Sequence, residues 1–229
     1  MPEKTNFEIL NNYLLDLQRV DNLEKMQDLV KTLTDALDEV YPCISCKTGC
    51  YTCCTGASMP NVYAKEWQRI REYIKNLDED TQNNIKNKAL DMINRKGELF
   101  QFIHNVLHQK ITENDLTEFA QKISTELKCE SCPLHQHGKC SVYEVRPIKC
   151  RVFGYFSFVF ENKVQFLSCE SDTTKMSDYL NKNKTKQVIL PYWNSFEIKL
   201  VNFVLDDNEK YQMTVIPMWL KEDYESGRL

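Results

Sequence analysis

A predominantly α-helical α+β fold, with a small antiparallel β-hairpin and an irregular cysteine-rich centre, is what this chain of 229 residues predicts. Three observations carry that expectation. Apolar residues recur at steps of three and four over 6–40 and again over 61–128. Residues 155–160 alternate with period two instead. Ten cysteines gather in two loop-like stretches, one around 43–54 and one between 129 and 169.

The elements follow in order. Phe7, Leu10, Leu14 and Leu17 mark one helix; Leu23, Met26, Val30, Leu33, Leu37 and Val40 mark a second in a different register. Asp21-Asn22 lies at the break, where a short polar side chain caps a helix start. Ordinary core packing explains both runs, since neither reaches three heptads of a coiled coil. Pro42 ends the segment. Beyond Met59-Pro60 the helical period returns with Tyr63, Trp67, Ile70, Tyr73, Ile74 and Leu77. Asp80 or Thr81 is the expected cap of the next helix, Gly97 its expected interruption, and Asn114 the start of another that carries Leu116, Phe119, Ile123 and Leu127. His104 and His108 stand i, i+4 on this arm, a spacing that can bind a metal, yet no third ligand of suitable spacing accompanies them. Residues 129–150 read as a loop-rich stretch. Tyr155–Phe160 and Val164–Leu167 read as strands about a turn at Glu161-Asn162-Lys163, and 174–189 as helix. The aromatic-rich segments Tyr192–Leu205 and Tyr211–Leu220 fit strand and helix equally. The chain thus divides into a helical segment 1–42, a cysteine-bearing domain 43–170 with a helical insertion 61–128, and an α/β extension 171–229 packed on the same domain.

Composition narrows the function. A net charge of −4 argues against a broad nucleic-acid surface. No apolar run is long enough to span a bilayer, so no membrane partner is expected. The first residues lack the apolar core of a signal peptide, and the expected compartment is the cytoplasm, where thiols stay reduced. Six glycines form no G-x-G, which removes the phosphate-binding loop and the dinucleotide fingerprint.

The cysteines carry the chemistry. Cys46, Cys50, Cys53 and Cys54 fall within nine residues, far above ordinary usage. Thiolates this dense in a reducing compartment point to a metal. The spacings C-x3-C and C-x2-C let a tight loop aim several sulfurs inward, as zinc and iron–sulfur clusters both require. Cys129 and Cys132 repeat the short spacing, while Cys140 and Cys150 need the fold to bring them in. Adjacent side chains point apart in extended chain, so Cys53 and Cys54 are expected to have unequal roles. Cys43 is the first candidate for a thiol that simply packs as a small apolar residue. Arg146 and Arg151 are candidates to offset the negative charge of a thiolate site, with surface salt bridges as the plainer reading. Pro147 is expected to fix the turn that returns Cys150. His135 and His137 flank Gly138 and are either turn residues or substitute ligands.

Taken together, CxxxCxxCC at 46–54, Cys-Pro-Leu at 132–134, C-x-V-Y-x-x-R-P-x-x-C-R at 140–151 and Cys169 resemble the YkgJ-type cysteine-cluster family. The resemblance covers about residues 43–170 and implies a zinc- or iron-chelating domain. Its eight characteristic cysteines fall on Cys46, Cys50, Cys53, Cys54, Cys132, Cys140, Cys150 and Cys169. Cys43 and Cys129 lie outside the pattern. The cofactor implied is an iron–sulfur cluster or zinc; the vicinal cysteines and Cys132-Pro133 favour iron–sulfur slightly.

Two further readings stay open. Flagellin lysine N-methylases carry a similar cysteine domain with an iron–sulfur cluster, which raises a methyltransferase or redox enzyme; no catalytic base or nucleophile stands out here. A structural zinc module that presents helices to a protein partner is the other, because closed four-thiolate sites are typically structural. Cys46-x3-Cys50-x2-Cys53 also matches the cluster motif of radical S-adenosylmethionine enzymes. Helices on both sides of it, and Thr52 where an aromatic usually stands, argue against that match.

Overall fold

Thr5 opens the first helix with a capping box: its hydroxyl accepts the Glu8 N–H while the Glu8 carboxylate accepts the Thr5 N–H. The computed structural model describes residues 5–44, 54, 59–108, 122, 125–127, 130–160, 162–168, 170–183, 189–204 and 213–229. Most of these are helical, with three small antiparallel strand pairs among them. They form two compact units: residues 1–47 with 148–204, and residues 48–147 with 205–229. The sequence segments 43–170 and 171–229 are each shared between the two.

In the first unit, α1 (Asn6–Gln18) and α2 (Leu23–Val40) fold back on each other. Asn22 caps α2 by accepting the Lys25 N–H at 2.9 Å. Asn22→Ala is expected to cost about 1 kcal/mol, read as a lower urea midpoint at unchanged slope. At the far end of the pair Asn6 reaches Glu39, which makes the helices antiparallel. Leu10, Leu17, Met26, Val30, Leu33 and Leu37 are buried. Short helix α5 (Ile148–Val152) packs on α2, and Tyr155 donates its hydroxyl to Asp38. The expected hairpin is present as β4 (Ser157–Phe160) and β5 (Lys163–Phe166), turned at Asn162 with φ 59°. Helices α6 (Glu170–Lys182) and α7 (Trp193–Val204) complete the unit. Phe196 joins it, stacking on Tyr13 and meeting Phe156 edge-on with centroids 5.0 Å apart.

The second unit is built around α3 (Ala64–Lys75), α4 (Glu79–His108) and α8 (Ile216–Glu225). Strand β1 (Asn61–Tyr63) pairs antiparallel with β6 (Met213–Val215), and each runs straight into its helix. Trp67 stacks on Trp219 at 6.3 Å over Ile70, Ile74, Ile85, Leu134, Val142 and Leu220. Trp219 also donates its indole N–H to the Val62 carbonyl at 2.8 Å. A second cluster gathers Met92, Ile93, Leu99, Phe100, Ile103 and Val215 further along α4.

Several sequence expectations need correction. The cap before α4 is Asp78, whose carboxylate takes the Thr81 N–H at 2.8 Å; it precedes Asp80 and Thr81 because the helix starts earlier than the apolar spacing indicates. The interruption expected at Gly97 is present one residue earlier, as a kink at Lys96 (φ −135°, ψ 29°), after which the chain returns to helix. The loop-rich stretch 129–150 holds two-residue strands β2 (His135–Gln136) and β3 (Lys139–Cys140), which form a hairpin, and a 3₁₀ turn over Tyr143–Val145. Pro147 precedes helix α5, which carries Cys150, in place of the expected turn. Of the two undecided segments, the first is helix α7 and the second is β6 followed by α8. The helix expected to start at Asn114 lies largely outside the described residues.

Candidate metal centre

The second cysteine group is organised by α4. Arg95 forms a two-pronged bridge to Glu130 at 2.6 and 3.0 Å, and Lys88, two turns earlier, donates to the His135 carbonyl at 2.6 Å. The guanidinium holds the Glu130 carboxyl below its usual range. Between these two anchors runs Ser131-Cys132-Pro133-Leu134. The His135 N–H returns to the Cys132 carbonyl at 2.9 Å, closing a turn, and Gln136 satisfies the Pro133 carbonyl. His137 (φ 48°) and Gly138 (φ 77°) are the two central residues of the β2–β3 turn. Both lie in the left-handed region that a two-residue hairpin of this twist requires. Strand register then sets Cys140 directly opposite His135.

Into this frame comes the first cysteine group. The Cys132 N–H donates to the Cys54 carbonyl at 2.6 Å. Cys132 is buried, and Cys54 and Cys140 pack partly buried on the same core cluster, beside Leu134 and Val142. Three of the eight cysteines singled out from sequence thus meet one core. Cys46, Cys50, Cys53 and Cys169, together with Cys129, lie outside the described residues. Cys150 stands on α5 in the other unit, half-buried. Among the described residues no three Cys, His, Asp or Glu side chains converge as a group able to hold a metal ion. The donor chemistry nevertheless suits one: thiol sulfurs in a largely apolar shell are what soft or borderline metals take.

The remaining candidates are placed as follows. Arg146 lays its guanidinium over the Tyr143 ring, 4.1 Å from the centroid, and Arg151 falls in α5. His135 accepts or donates at Nδ1 with Ser131 Oγ, 3.1 Å away, and burial with help from nearby Lys88 lowers its pKa. His137 is a turn residue. His104 and His108 lie on the last turns of α4. Cys43 sits with its Sγ 3.7 Å from Met176 Sδ, in the first unit. Lys88, Arg95 and Glu130 are the positioning residues that sequence reasoning missed. Lys88 and Arg95 share a helix face at i, i+7, but that spacing gives no sign of what they hold.

No helix among the described residues is long and apolar enough to cross a membrane. Comparison with protein-family models, with curated proteins and with solved structures found no match.

Proposed function

We propose that this chain is a cysteine-rich metal-binding protein of the YkgJ type, holding an iron–sulfur cluster or zinc through thiolates. The reading draws its ligands from Cys46, Cys50, Cys53, Cys54, Cys132, Cys140, Cys150 and Cys169. One observation supports it above the others: the backbone bond from Cys132 to Cys54, which joins two cysteine groups far apart in sequence around a single core. Closing so long a loop adds little entropy cost over a shorter one. Arg95 and Lys88 of α4 hold the second group in place for that meeting. When bound, an iron–sulfur cluster supplies electron transfer or an open iron, and zinc a redox-inert cross-link.

Anaerobic purification followed by metal and acid-labile sulfide analysis tests this. Brown protein with sulfide identifies iron–sulfur; colourless protein with stoichiometric zinc identifies the structural module. Cys132→Ser is expected to lower metal content, Cys43→Ser to leave it unchanged, and Cys53→Ser and Cys54→Ser to lower it to different extents. Metal-free, fully folded protein from every anaerobic preparation overturns the proposal.

A further inference from the structure

His135 is held at three points in the frame that carries the second cysteine group. Its N–H donates to the Cys132 carbonyl at 2.9 Å, its carbonyl accepts the Lys88 ammonium at 2.6 Å, and its Nδ1 lies 3.1 Å from Ser131 Oγ. A residue that only extends a two-residue strand needs its backbone fixed and nothing more. Here the ring is oriented as well. A hydrogen bond at one imidazole nitrogen fixes where the other points, which is how ligand histidines are commonly set.

Strand register gives the neighbour of that ring. The Ser141 N–H bonds to the Leu134 carbonyl at 2.8 Å, so Leu134 and Ser141 are a hydrogen-bonded pair. His135 and Cys140, next in register, are therefore a non-hydrogen-bonded pair, in which opposite side chains share a face and stand closest. Both are half-buried. His137 does not share the position: it is exposed at the tip of the turn, with φ 48°. An imidazole beside a thiol is half of a tetrahedral shell, and mixed cysteine–histidine sets are ordinary zinc sites. We propose that His135 is a nitrogen ligand of the metal centre, coordinating through Nε2 beside the Cys140 thiolate. The inference rests on the metal-binding reading above and adds a donor outside its eight cysteines. A neutral imidazole in place of a thiolate removes one negative charge from the centre, and at an iron–sulfur cluster it raises the reduction potential.

X-ray absorption at the edge of the bound metal, on protein purified anaerobically, tests the proposal. With zinc, wild type is expected to show nitrogen at about 2.0–2.1 Å beside sulfur at about 2.3 Å. With an iron–sulfur cluster, the reduced protein is expected to show nitrogen coupling in pulsed electron paramagnetic resonance. His135→Gln is expected to lose the nitrogen signal and to yield its metal to a chelator roughly tenfold more readily or more. The triple variant His104→Gln, His108→Gln, His137→Gln is expected to keep the signal, which identifies His135 even where His135→Gln fails to fold. An all-sulfur shell in metal-loaded wild type overturns this proposal and leaves the metal-binding reading standing; metal-free wild type overturns both. A nitrogen signal that survives His135→Gln, or that vanishes in the triple variant, also overturns it.

Discussion

Replacing Asp223 by alanine is expected to destabilise the protein by about 3–5 kcal/mol, the cost of removing one member of a buried ionic group. Asp223 is fully buried on α8. Its carboxylate accepts the Trp67 indole N–H at 2.6 Å, takes Arg228, and lies 3.4 Å from Arg71. Its carbonyl accepts the Arg228 and Leu229 N–H groups as well. Alanine leaves a buried indole donor and a mostly buried guanidinium without their acceptor, at the seam between α3 and α8. Trp67→Phe removes the donor and part of a buried ring that stacks on Trp219, and is expected to cost about 2–3 kcal/mol. Urea unfolding of both single variants and the double variant reads the coupling. Additive costs, or a loss below about 1 kcal/mol for Asp223→Ala, would show that the carboxylate does not anchor α8.

Stripping bound metal with a strong chelator is expected to lower the melting temperature by roughly 8–16 °C, for a loss of about 4 kcal/mol in a chain of this size. The expectation rests on the metal-binding reading. Cys54, Cys132 and Cys140 pack on the cluster that also contains Val62, Trp67, Leu134 and Val142, so a cross-link there is continuous with the core of the second unit. Protection of Leu134 and Val142 amides from hydrogen exchange should fall with the metal, while that of Leu33 and Leu37, in the other unit, should fall less. An unchanged melting curve after verified metal removal would mean that the thiolates do not staple the fold.

Much of the architecture was legible in the chain. The break at Asp21-Asn22 shows itself because a phase change in apolar spacing coincides with a capping side chain, and Asn22 does cap α2. The β4–β5 hairpin shows itself through alternation about Asn162, a residue that tolerates positive φ. What stayed hidden is non-local. Strands β1 and β6 are three residues each, too short for periodicity, and exist because each completes the other across the second unit. The helix bearing Cys150 is only five residues long, and burial of Ile148 and Val152 decides it. For the candidate centre, the sequence named the cysteines, but Arg95 and Lys88 look like solvated helix charges until Glu130 and His135 are seen opposite them.

The interleaving of the two units bears on how the protein is made. The first unit draws on residues 1–47 and 148–204, the second on 48–147 and 205–229. A chain leaving the ribosome therefore cannot finish the first unit before the second has been largely extruded. Nor can it finish the second until β6, at Met213–Val215, has emerged to meet β1. Through that interval the early thiols wait in the open, beside strand edges not yet paired. Vectorial synthesis thus leaves the first cysteine group without its packing partners until most of the chain has emerged.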